Sequence, residues 1–215
     1  MLLELKGIRK SVGDVSLLSD VELAIDKGEI VQITGRSGAG KTTLLRIAAL
    51  IDDSYEGRVL YFGKVASPAE SSSIRLRHIG YIPQFSNMID ALTIRENIDL
   101  PLSLMKIAKG ERERRIKEVA ERLAIEKILD KYPSQVSGGE NQRAAVARAI
   151  VKEPSIIIAD EPVASLDEKA ESTVLQIMHE QAEHGRAVLI SFVQKVDHIK
   201  ADKVYSLSDG MLIAL

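Results

Sequence analysis

Short apolar runs alternate with amphipathic segments along most of the chain. Three of these runs, Glu29–Thr34, Ser155–Asp160 and Ala187–Ser191, are rich in β-branched residues, which is typical of strands buried on both faces. Leu2–Ile8 and Val15–Ile25 predict two N-terminal strands that are antiparallel and lie at one edge of the sheet. The alternation of strands with helical segments predicts an α/β domain with a largely parallel sheet.

The hydrophobic pattern changes in the middle of the chain. Within residues 110–124, apolar residues recur at helical spacing with charges on the opposite face, namely Ile116, Val119, Ala120 and Leu123. A second helix is predicted after Gly139. We therefore expect a single domain over residues 1–215, with a core formed by 1–84 and 155–215 and an inserted helical subdomain over 85–154.

Composition excludes several classes of function. The chain has 215 residues, with 29 Lys and Arg against 31 Asp and Glu, and this balance argues against a nucleic-acid partner. It has no cysteine, which excludes a disulfide scaffold, a thiolate zinc site and a cysteine nucleophile. The four histidines are scattered and show no metal-ligand spacing.

The sequence also lacks the signals of a membrane or secreted protein. The longest apolar stretches, Ser155–Ala159 and Ala187–Val193, are far shorter than the ~18 residues that a membrane span needs. The N-terminus lacks the basic and then apolar layout of a secretion signal. We expect a cytoplasmic protein, whose membrane-spanning partner, if it works at a membrane, is another chain.

A glycine-rich segment from Gly35 to Thr42 matches G-x-x-x-x-G-K-[ST] and lies between a predicted strand and a predicted helix. Its glycines let backbone N–H groups surround a phosphate, and the N-terminus of the helix stabilises the same anion. Lys41 is expected to reach the β- and γ-phosphates, and the Thr42 hydroxyl to ligate Mg²⁺. The predicted nucleotide-binding residues here are Gly35, Arg36, Ser37, Gly38, Ala39, Gly40, Lys41, Thr42 and Thr43. An ordinary glycine turn ahead of a helix is the alternative, and the flanking elements argue against it.

Two carboxylates, Asp160 and Glu161, follow one of the predicted buried strands. Ligands of open α/β sheets bind at the carboxyl ends of the strands. Asp160 is therefore predicted to hold Mg²⁺, and Glu161 to act as general base toward an attacking water. The alternative is a solvated strand end before the turn at Pro162.

A second turn suited to an anion precedes the helix after Gly139. Its residues Ser137, Gly138, Gly139 and Glu140 combine a helix-capping hydroxyl with exposed backbone N–H groups. A single ATP rarely needs two such turns from one molecule. We therefore predict that this turn closes over the γ-phosphate held by a partner subunit.

Together, these motifs resemble those of the ATP-binding subunits of ABC transporters, in the same order and over essentially the whole chain. Gly35–Thr42 resembles the Walker A loop, Ile156–Glu161 the Walker B strand, and Ser137–Glu140 the signature motif. Gln84 in GYIPQF matches the Q-loop, and Ser165–Asp167 resembles the D-loop. The resemblance implies a P-loop NTPase core with a mostly parallel sheet, an antiparallel N-terminal β edge and an inserted helical subdomain.

The finer placement rests on two features. We expect no appended C-terminal domain, and the segment Glu96–Leu102 is similar to that of the lipoprotein-releasing and macrolide-export branch. Cell-division ATPases of this family are similar too.

The resemblance implies a head-to-tail pair of subunits that holds two ATP molecules, formed with a second copy or with another ATP-binding subunit. Each ATP is expected between Ser137–Gly139 of one chain and five residues of the other, which are Lys41, Thr42, Gln84, Asp160 and Glu161. Gln84 is implied to contact both the metal and the attacking water. The helical subdomain is implied to dock a membrane permease on the cytoplasmic face of the membrane.

Three residues depart from the family pattern. Val12 stands where an aromatic residue usually stacks on adenine, and the loss of stacking predicts weaker ATP binding. Val193 stands where a histidine usually contacts the γ-phosphate, and neither neighbour, Phe192 or Gln194, is a histidine. Valine has no hydrogen-bond donor, so slow hydrolysis is expected. Glu140 replaces a common glutamine, a change that we expect to be neutral.

Two other functions compete with the transporter subunit. A nucleotide-binding scaffold of the cell-division type would bind ATP and hydrolyse little of it, which fits Val12 and Val193. A DNA-repair ATPase would place coiled coils or zinc modules between Lys41 and Ser137, and this interval is compact and free of cysteine. Neither the transported molecule nor the direction of transport follows from the sequence.

Overall fold

Sixteen helices and strands follow one another along residues 1–215, all of which the computed structural model describes. The strands are β1 (Leu3–Val12), β2 (Val15–Ile25), β3 (Ile30–Thr34), β4 (Glu56–Tyr61), β5 (Lys64–Val65), β6 (Ile79–Ile82), β7 (Ile156–Asp160), β8 (Ala187–Phe192), β9 (Lys203–Ser208) and β10 (Met211–Ala214). The helices are α1 (Lys41–Ala48), α2 (Pro68–His78), α3 (Ile94–Leu104), α4 (Lys109–Arg122), α5 (Gly138–Ile150) and α6 (Glu168–Glu183).

The central sheet has six strands in the order β10-β9-β3-β8-β7-β6. All its pairings are parallel except that of β9 with β10, which confirms the predicted largely parallel sheet. Every residue of β3, β7 and β8 is buried, because this sheet is covered on both faces. Because β3, β8, β7 and β6 are parallel, the carboxyl ends of β3, β7 and β6 lie at the same edge of the sheet, and so do the residues that follow them.

The N-terminal strands pair as predicted and occupy a different place. β1 and β2 are antiparallel, and β1 pairs on its other side with β4, so these strands form a second sheet in the order β2-β1-β4-β5. The pair is therefore part of a separate antiparallel layer and not an edge of the six-stranded sheet. This layer, α1 and one face of the central sheet enclose a core of 24 buried apolar residues.

The segment 85–154 between β6 and β7 contains three α-helices, two short 3₁₀ turns and no strand. Its apolar residues, including Ile98, Val119 and Val146, are buried in one core of 30 residues together with the other face of the central sheet. The helices are thus packed on the sheet through a continuous apolar interface. The division of the chain into a core over 1–84 and 155–215 and a helical subdomain over 85–154 stays a prediction.

None of the helices combines the length and the apolar character that crossing a bilayer would demand.

Lys152, just after α5, provides a prediction about stability. Its ammonium group donates to the Arg75 carbonyl at 2.8 Å, and burial lowers the pKa of Lys152 to about 8. The pKa of Lys152 in the folded state lies below its ordinary value of 10.5, because burial disfavours the charged form. Below pH 8 the folded protein therefore contains a buried charge that destabilises it. Between pH 8 and 10.5 the folded state binds fewer protons than the unfolded state, so the free energy of unfolding rises with pH. We expect Lys152→Met to raise the free energy of unfolding at pH 7 by about 1 kcal/mol, because the methionine side chain carries no charge that has to be buried.

Urea unfolding at pH 7.0 and at pH 9.5 checks this expectation. The difference between Lys152→Met and the natural chain shrinks at the higher pH if desolvation of the charge is its cause. A difference that is independent of pH, or a variant that is less stable at pH 7.0, contradicts this account.

Candidate nucleotide-binding site

The loop between β3 and α1 has the geometry of a phosphate cradle. A Cβ on Gly35 would lie 2.6 Å from the Leu207 carbonyl oxygen, so only glycine allows the loop to pass so close to β9. Gly40 precedes α1 in a left-handed conformation with φ of 99°, which also favours glycine. No side chain caps α1, so the backbone N–H groups of its first turn remain available to an anion.

Lys41 lies inside this loop and is almost fully buried. Its Nζ atom donates to the Gly35 carbonyl at 2.6 Å and to the Arg36 carbonyl at 3.2 Å. The same atom forms an ion pair with Glu161 Oε1 at 3.1 Å. The ammonium group is thus held at the mouth of the loop by groups that a phosphate would replace.

Gln84, after β6, completes the environment of Glu161. Its Nε2 atom donates to Glu161 Oε2 at 3.0 Å, so the two oxygens of that carboxylate contact Gln84 and Lys41 separately. Lys41 and Gln84, which are far apart in sequence, therefore both contact the carboxylate of Glu161. The predicted catalytic residues Lys41, Gln84 and Glu161 are brought together.

Ser191 is a part of the site that the sequence interpretation did not include. It is fully buried in β8 opposite Asp160, and its hydroxyl donates to Asp160 Oδ1 at 2.7 Å. The Glu161 N–H donates to the Ser191 hydroxyl at 3.1 Å, while Glu161 adopts the left-handed region with φ of 44°. Ser191 thereby holds the Asp160 carboxylate and the backbone of Glu161. The only sequence signal for it is a hydroxyl in an otherwise apolar strand.

Two adjoining clefts surround these residues. The first, of about 350 Å³, is lined by Leu17, Ser37, Gly38, Gly40, Lys41, Thr42, Thr43, Gln84 and Glu161. The second, of about 510 Å³, is lined in part by Thr42, Gln84 and Asp160. The Arg36 guanidinium points away, 3.9 Å from Asp209, so Arg36 takes part through its carbonyl group.

The donor set fits a magnesium ion that is mainly held by phosphate and water. Thr42, Gln84 and Asp160 offer a hydroxyl, an amide oxygen and one carboxylate to the same cleft, and oxygen ligands are those that Mg²⁺ prefers. The chain contains no group of three or more His, Cys, Asp or Glu side chains placed to hold a metal. A single carboxylate near a phosphate cradle is the arrangement expected when the nucleotide completes the coordination.

The turn at Ser137 lies elsewhere. Ser137 caps α5 and forms a reciprocal capping box with Glu140, whose carboxylate accepts from the Ser137 N–H at 2.8 Å and from its hydroxyl at 2.9 Å. These hydrogen bonds lower the pKa of Glu140, which favours the charged form at this helix N-terminus. None of the four predicted residues, Ser137, Gly138, Gly139 and Glu140, lines the clefts around Lys41.

Neither Val12 nor Val193, the two main departures from the family pattern, lines the clefts around Lys41. Val12 ends β1, is paired with Val15 and is 59 % exposed. Val193 follows β8 and is 45 % exposed, whereas Phe192 is buried in the core. His198, five residues further on, lies at the surface with its Nε2 atom 3.3 Å from Glu171 Oε1.

A family model described as ABC transporter matches residues 18–164, and this range includes the Lys41 loop, Gln84, the Ser137 turn and Glu161. The chain belongs to the ABC transporter family. The predicted family, the P-loop fold class and the predicted ATPase activity are thereby confirmed. Neither Val12 nor Val193 lies within the matched range.

The relatives of this ABC transporter chain are named for the transport of different molecules. It is 38 % identical to a bacitracin export ATP-binding protein of Halalkalibacterium halodurans, over 95 % of this chain and 87 % of the relative. It is 34 % identical to a glutamate transport ATP-binding protein of Corynebacterium glutamicum, over 99 % of this chain and 89 % of the relative. A solved dimeric ATP-binding cassette in a post-hydrolysis state with ADP and Pi superposes with a TM-score of 0.89 and 32 % identity, covering 98 % of this chain and 96 % of that one.

Proposed function

We propose that this chain is the ATP-hydrolysing subunit of a membrane transporter or extrusion complex and works as a head-to-tail dimer. The observation that carries the proposal is the separation of two anion-binding turns within one chain. The Lys41 loop and the Ser137 turn do not line a common cleft, so a second subunit is needed to bring them to one nucleotide. The partner is a second copy or another ATP-binding subunit.

The residues around the first turn have distinct tasks when ATP binds. The α1 N-terminus and the loop N–H groups bind the phosphates, and Lys41 exchanges the Gly35 carbonyl and Glu161 for the β- and γ-phosphates. Thr42, Gln84 and Asp160 would hold Mg²⁺, which neutralises phosphate charge. Glu161, then free of Lys41, orients a water molecule and accepts its proton.

Hydrolysis at this site is expected to be slow. A donor to the γ-phosphate is missing at Val193, and the aromatic residue that would stack on adenine is missing at Val12. The Glu161 carboxylate and its partners Lys41 and Gln84 are present, so the site retains the groups that hydrolysis needs. The relatives reported above are named for transport or export, and none supports the alternative of a cell-division scaffold.

The membrane partner is proposed to dock beside Gln84. An apolar recess of about 310 Å³, lined in part by Leu76, Leu100 and Leu104, lies between α2 and α3. Phe85, directly after Gln84, is 80 % exposed, and Leu104 is 59 % exposed. A cytoplasmic helix of a separate permease chain would cover these side chains and place the protein at the cytoplasmic face of the membrane.

A complementation assay tests the composite site. Lys41→Met removes the phosphate-binding ammonium and keeps the Ser137 turn, whereas Ser137→Phe blocks the turn and keeps Lys41. Each variant alone should lose phosphate release, and a mixture should regain it, because a mixed dimer contains one intact site.

The natural chain provides the control, since its rate per chain should rise with protein concentration as dimers form. Ser134→Phe, three residues before the turn and also exposed, should retain full activity. A mixture that stays inactive while both variants remain folded contradicts a head-to-tail dimer of two copies of this chain.

A further inference from the structure

Gln32 is a buried amide in the middle of β3, the strand that leads into the phosphate loop. It is 1 % exposed, although the residues on either side of it, Val31 and Ile33, are apolar. Side chains alternate along a strand, so Gln32 shares the face of Ile30, while Val31 and Ile33 belong to the core on the other face. Because a buried amide without partners destabilises a fold, the hydrogen bonds of Gln32 indicate what it holds in place.

The partner of Gln32 is the backbone of a single residue, Val196. With the side-chain amide oriented to satisfy both groups, Gln32 Nε2 donates to the Val196 carbonyl at 3.2 Å, and Gln32 Oε1 accepts from the Val196 N–H at 2.7 Å. An adjacent strand would form the same two kinds of hydrogen bond. No other hydrogen bond joins the backbone of residues 193–201 to the sheet.

The connection between β8 and β9, residues 193–202, crosses over β3. Because β8 and β9 pair with β3 on its two sides, the chain has to pass over one face of this strand. Further along the connection, Ile199 is buried in the core on that face, and the Asp202 N–H donates to the Ile30 carbonyl at 2.8 Å. Gln32 is therefore the first point at which the backbone is held after it leaves β8.

The first three residues of the connection, Val193–Lys195, form a segment that we call the β8 exit segment. All three residues are exposed, and their backbone forms no hydrogen bond with the rest of the chain. The position of the segment is thus determined by its two flanks, which are Phe192 at the end of β8 and Val196 above Gln32.

The β8 exit segment leaves the sheet at the edge where nucleotide is expected. In the parallel part of the sheet, β8 lies between β3, which leads into the phosphate loop, and β7, which leads to Glu161. Two residues before the segment, Ser191 donates to the Asp160 carboxylate. The backbone N–H groups of the segment and the Gln194 amide can donate to a phosphate, whereas the Val193 side chain cannot.

We propose that Gln32 is a positioning residue for ATP hydrolysis, which holds the β8 exit segment beside the γ-phosphate by fixing the backbone of Val196. Without its two hydrogen bonds, the free stretch between Phe192 and the buried Ile199 would be the six residues 193–198 in place of the three residues 193–195. A longer free stretch has more conformations, so its donors would spend less time in the arrangement that hydrolysis requires. This inference rests on the proposed function, since it assumes that ATP is hydrolysed between Lys41 and Glu161.

Spin labels measure how freely the β8 exit segment moves. Because the chain has no cysteine, Lys195→Cys provides one labelling position within the segment, and Lys200→Cys provides an exposed reference position beyond the buried Ile199. Each labelled chain is compared, by electron spin resonance, with and without a substitution at Gln32. The same substitutions in the unlabelled chain are used for kinetics.

The test variants are Gln32→Leu and Gln32→Met. Both remove the two hydrogen bonds at nearly equal side-chain size, and the second serves if the first does not fold. Gln181→Leu is the matched control, because Gln181 is a buried glutamine on α6 that accepts from Arg186 and does not contact the connection. Thermal unfolding and calorimetric ATP binding show that each variant folds and binds nucleotide.

We expect the label at position 195 to become more mobile in Gln32→Leu, while the label at position 200 keeps its spectrum. The kcat of Gln32→Leu should fall by about tenfold, with ATP affinity within about twofold of the natural chain, because the segment acts on the reacting phosphate and not on nucleotide binding. Gln181→Leu should leave both spectra and kcat unchanged.

Three results would overturn the inference. The label at position 195 could stay as immobile in the Gln32 variants as in the natural chain. It could become mobile while kcat keeps its natural value. The variants could lose thermal stability alone, with natural kcat at a temperature where they are folded, which would assign Gln32 to folding only.

Failure of the proposed function gives a different pattern. In that case Lys41→Met and Ser137→Phe fail to complement one another, while Gln32→Leu still mobilises the label at position 195 and still lowers kcat.

Discussion

Glu161→Gln should reduce the rate of ATP hydrolysis by a factor of about 10² to 10⁴ and leave ATP binding intact. Glutamine has the shape of glutamate but cannot accept the proton of an attacking water. The substitution should therefore lower kcat. ATP affinity should stay equal or increase, because Lys41 loses the carboxylate that competes with phosphate for it. Phosphate release and calorimetric ATP binding, measured on the same preparation, separate these two effects.

Glu171→Gln is the matched control for this prediction. Glu171 lies on α6, contacts His198 and has no contact with the Lys41 loop, so its variant should hydrolyse ATP at the natural rate. If Glu161→Gln keeps more than a tenth of the natural kcat, Glu161 is not the general base. A variant that loses ATP binding would show instead that Glu161 mainly supports the loop.

Val193→His should raise kcat, by up to about 10²-fold, with little change in thermal stability. Ser191 in β8 donates to Asp160, and Val193 lies two residues further along the chain, directly after the end of β8. An imidazole there can donate to the γ-phosphate, whereas valine cannot. Val193 is partly exposed, so the larger side chain displaces no part of the core.

Steady-state kinetics on Val193→His and on Val193→Leu distinguish chemistry from size. Leucine adds volume without a donor and should leave kcat unchanged. An unchanged kcat in a folded Val193→His chain refutes the role assigned to this position. A rise in both variants would attribute the effect to the size of the side chain at position 193.

Local chemistry made the phosphate site predictable from the sequence. The three glycines at 35, 38 and 40, Lys41 and Thr42 all lie within eight residues, and their spacing is determined by what a phosphate cradle requires. Asp160 and Glu161 were found in the same way, because they directly follow a strongly apolar strand. In both cases the signal lies within a few residues.

Ser191 and the contacts of α5 could not be found in this way. Ser191 reaches Asp160 only through the register of β7 and β8, which pairs residues 31 positions apart. Gln142 reaches Pro83 across 59 positions. The spacing of hydrophobic residues along the sequence identifies strands and helices. It contains no information about which side chains of different strands and helices come into contact.

The placement of the N-terminal strands was wrong for a related reason. The strand pattern of these two segments was clear, and the antiparallel pairing predicted from it is correct. Their membership in a separate sheet depends on β4, whose sequence EGRVLY shows a weak pattern and whose pairing with β1 spans some fifty residues. Long-range pairing of this kind is determined by packing on α1 and not by local pattern.

The mass of Glu161→Gln in solution with Mg²⁺ and ATP tests most directly the claim that nucleotide joins two chains. Light scattering after size-exclusion chromatography should give twice 23.6 kDa with ATP, and 23.6 kDa with ADP or with Ser137→Phe added to the same chain. A particle of 23.6 kDa at saturating ATP, with nucleotide bound to it, would contradict the account.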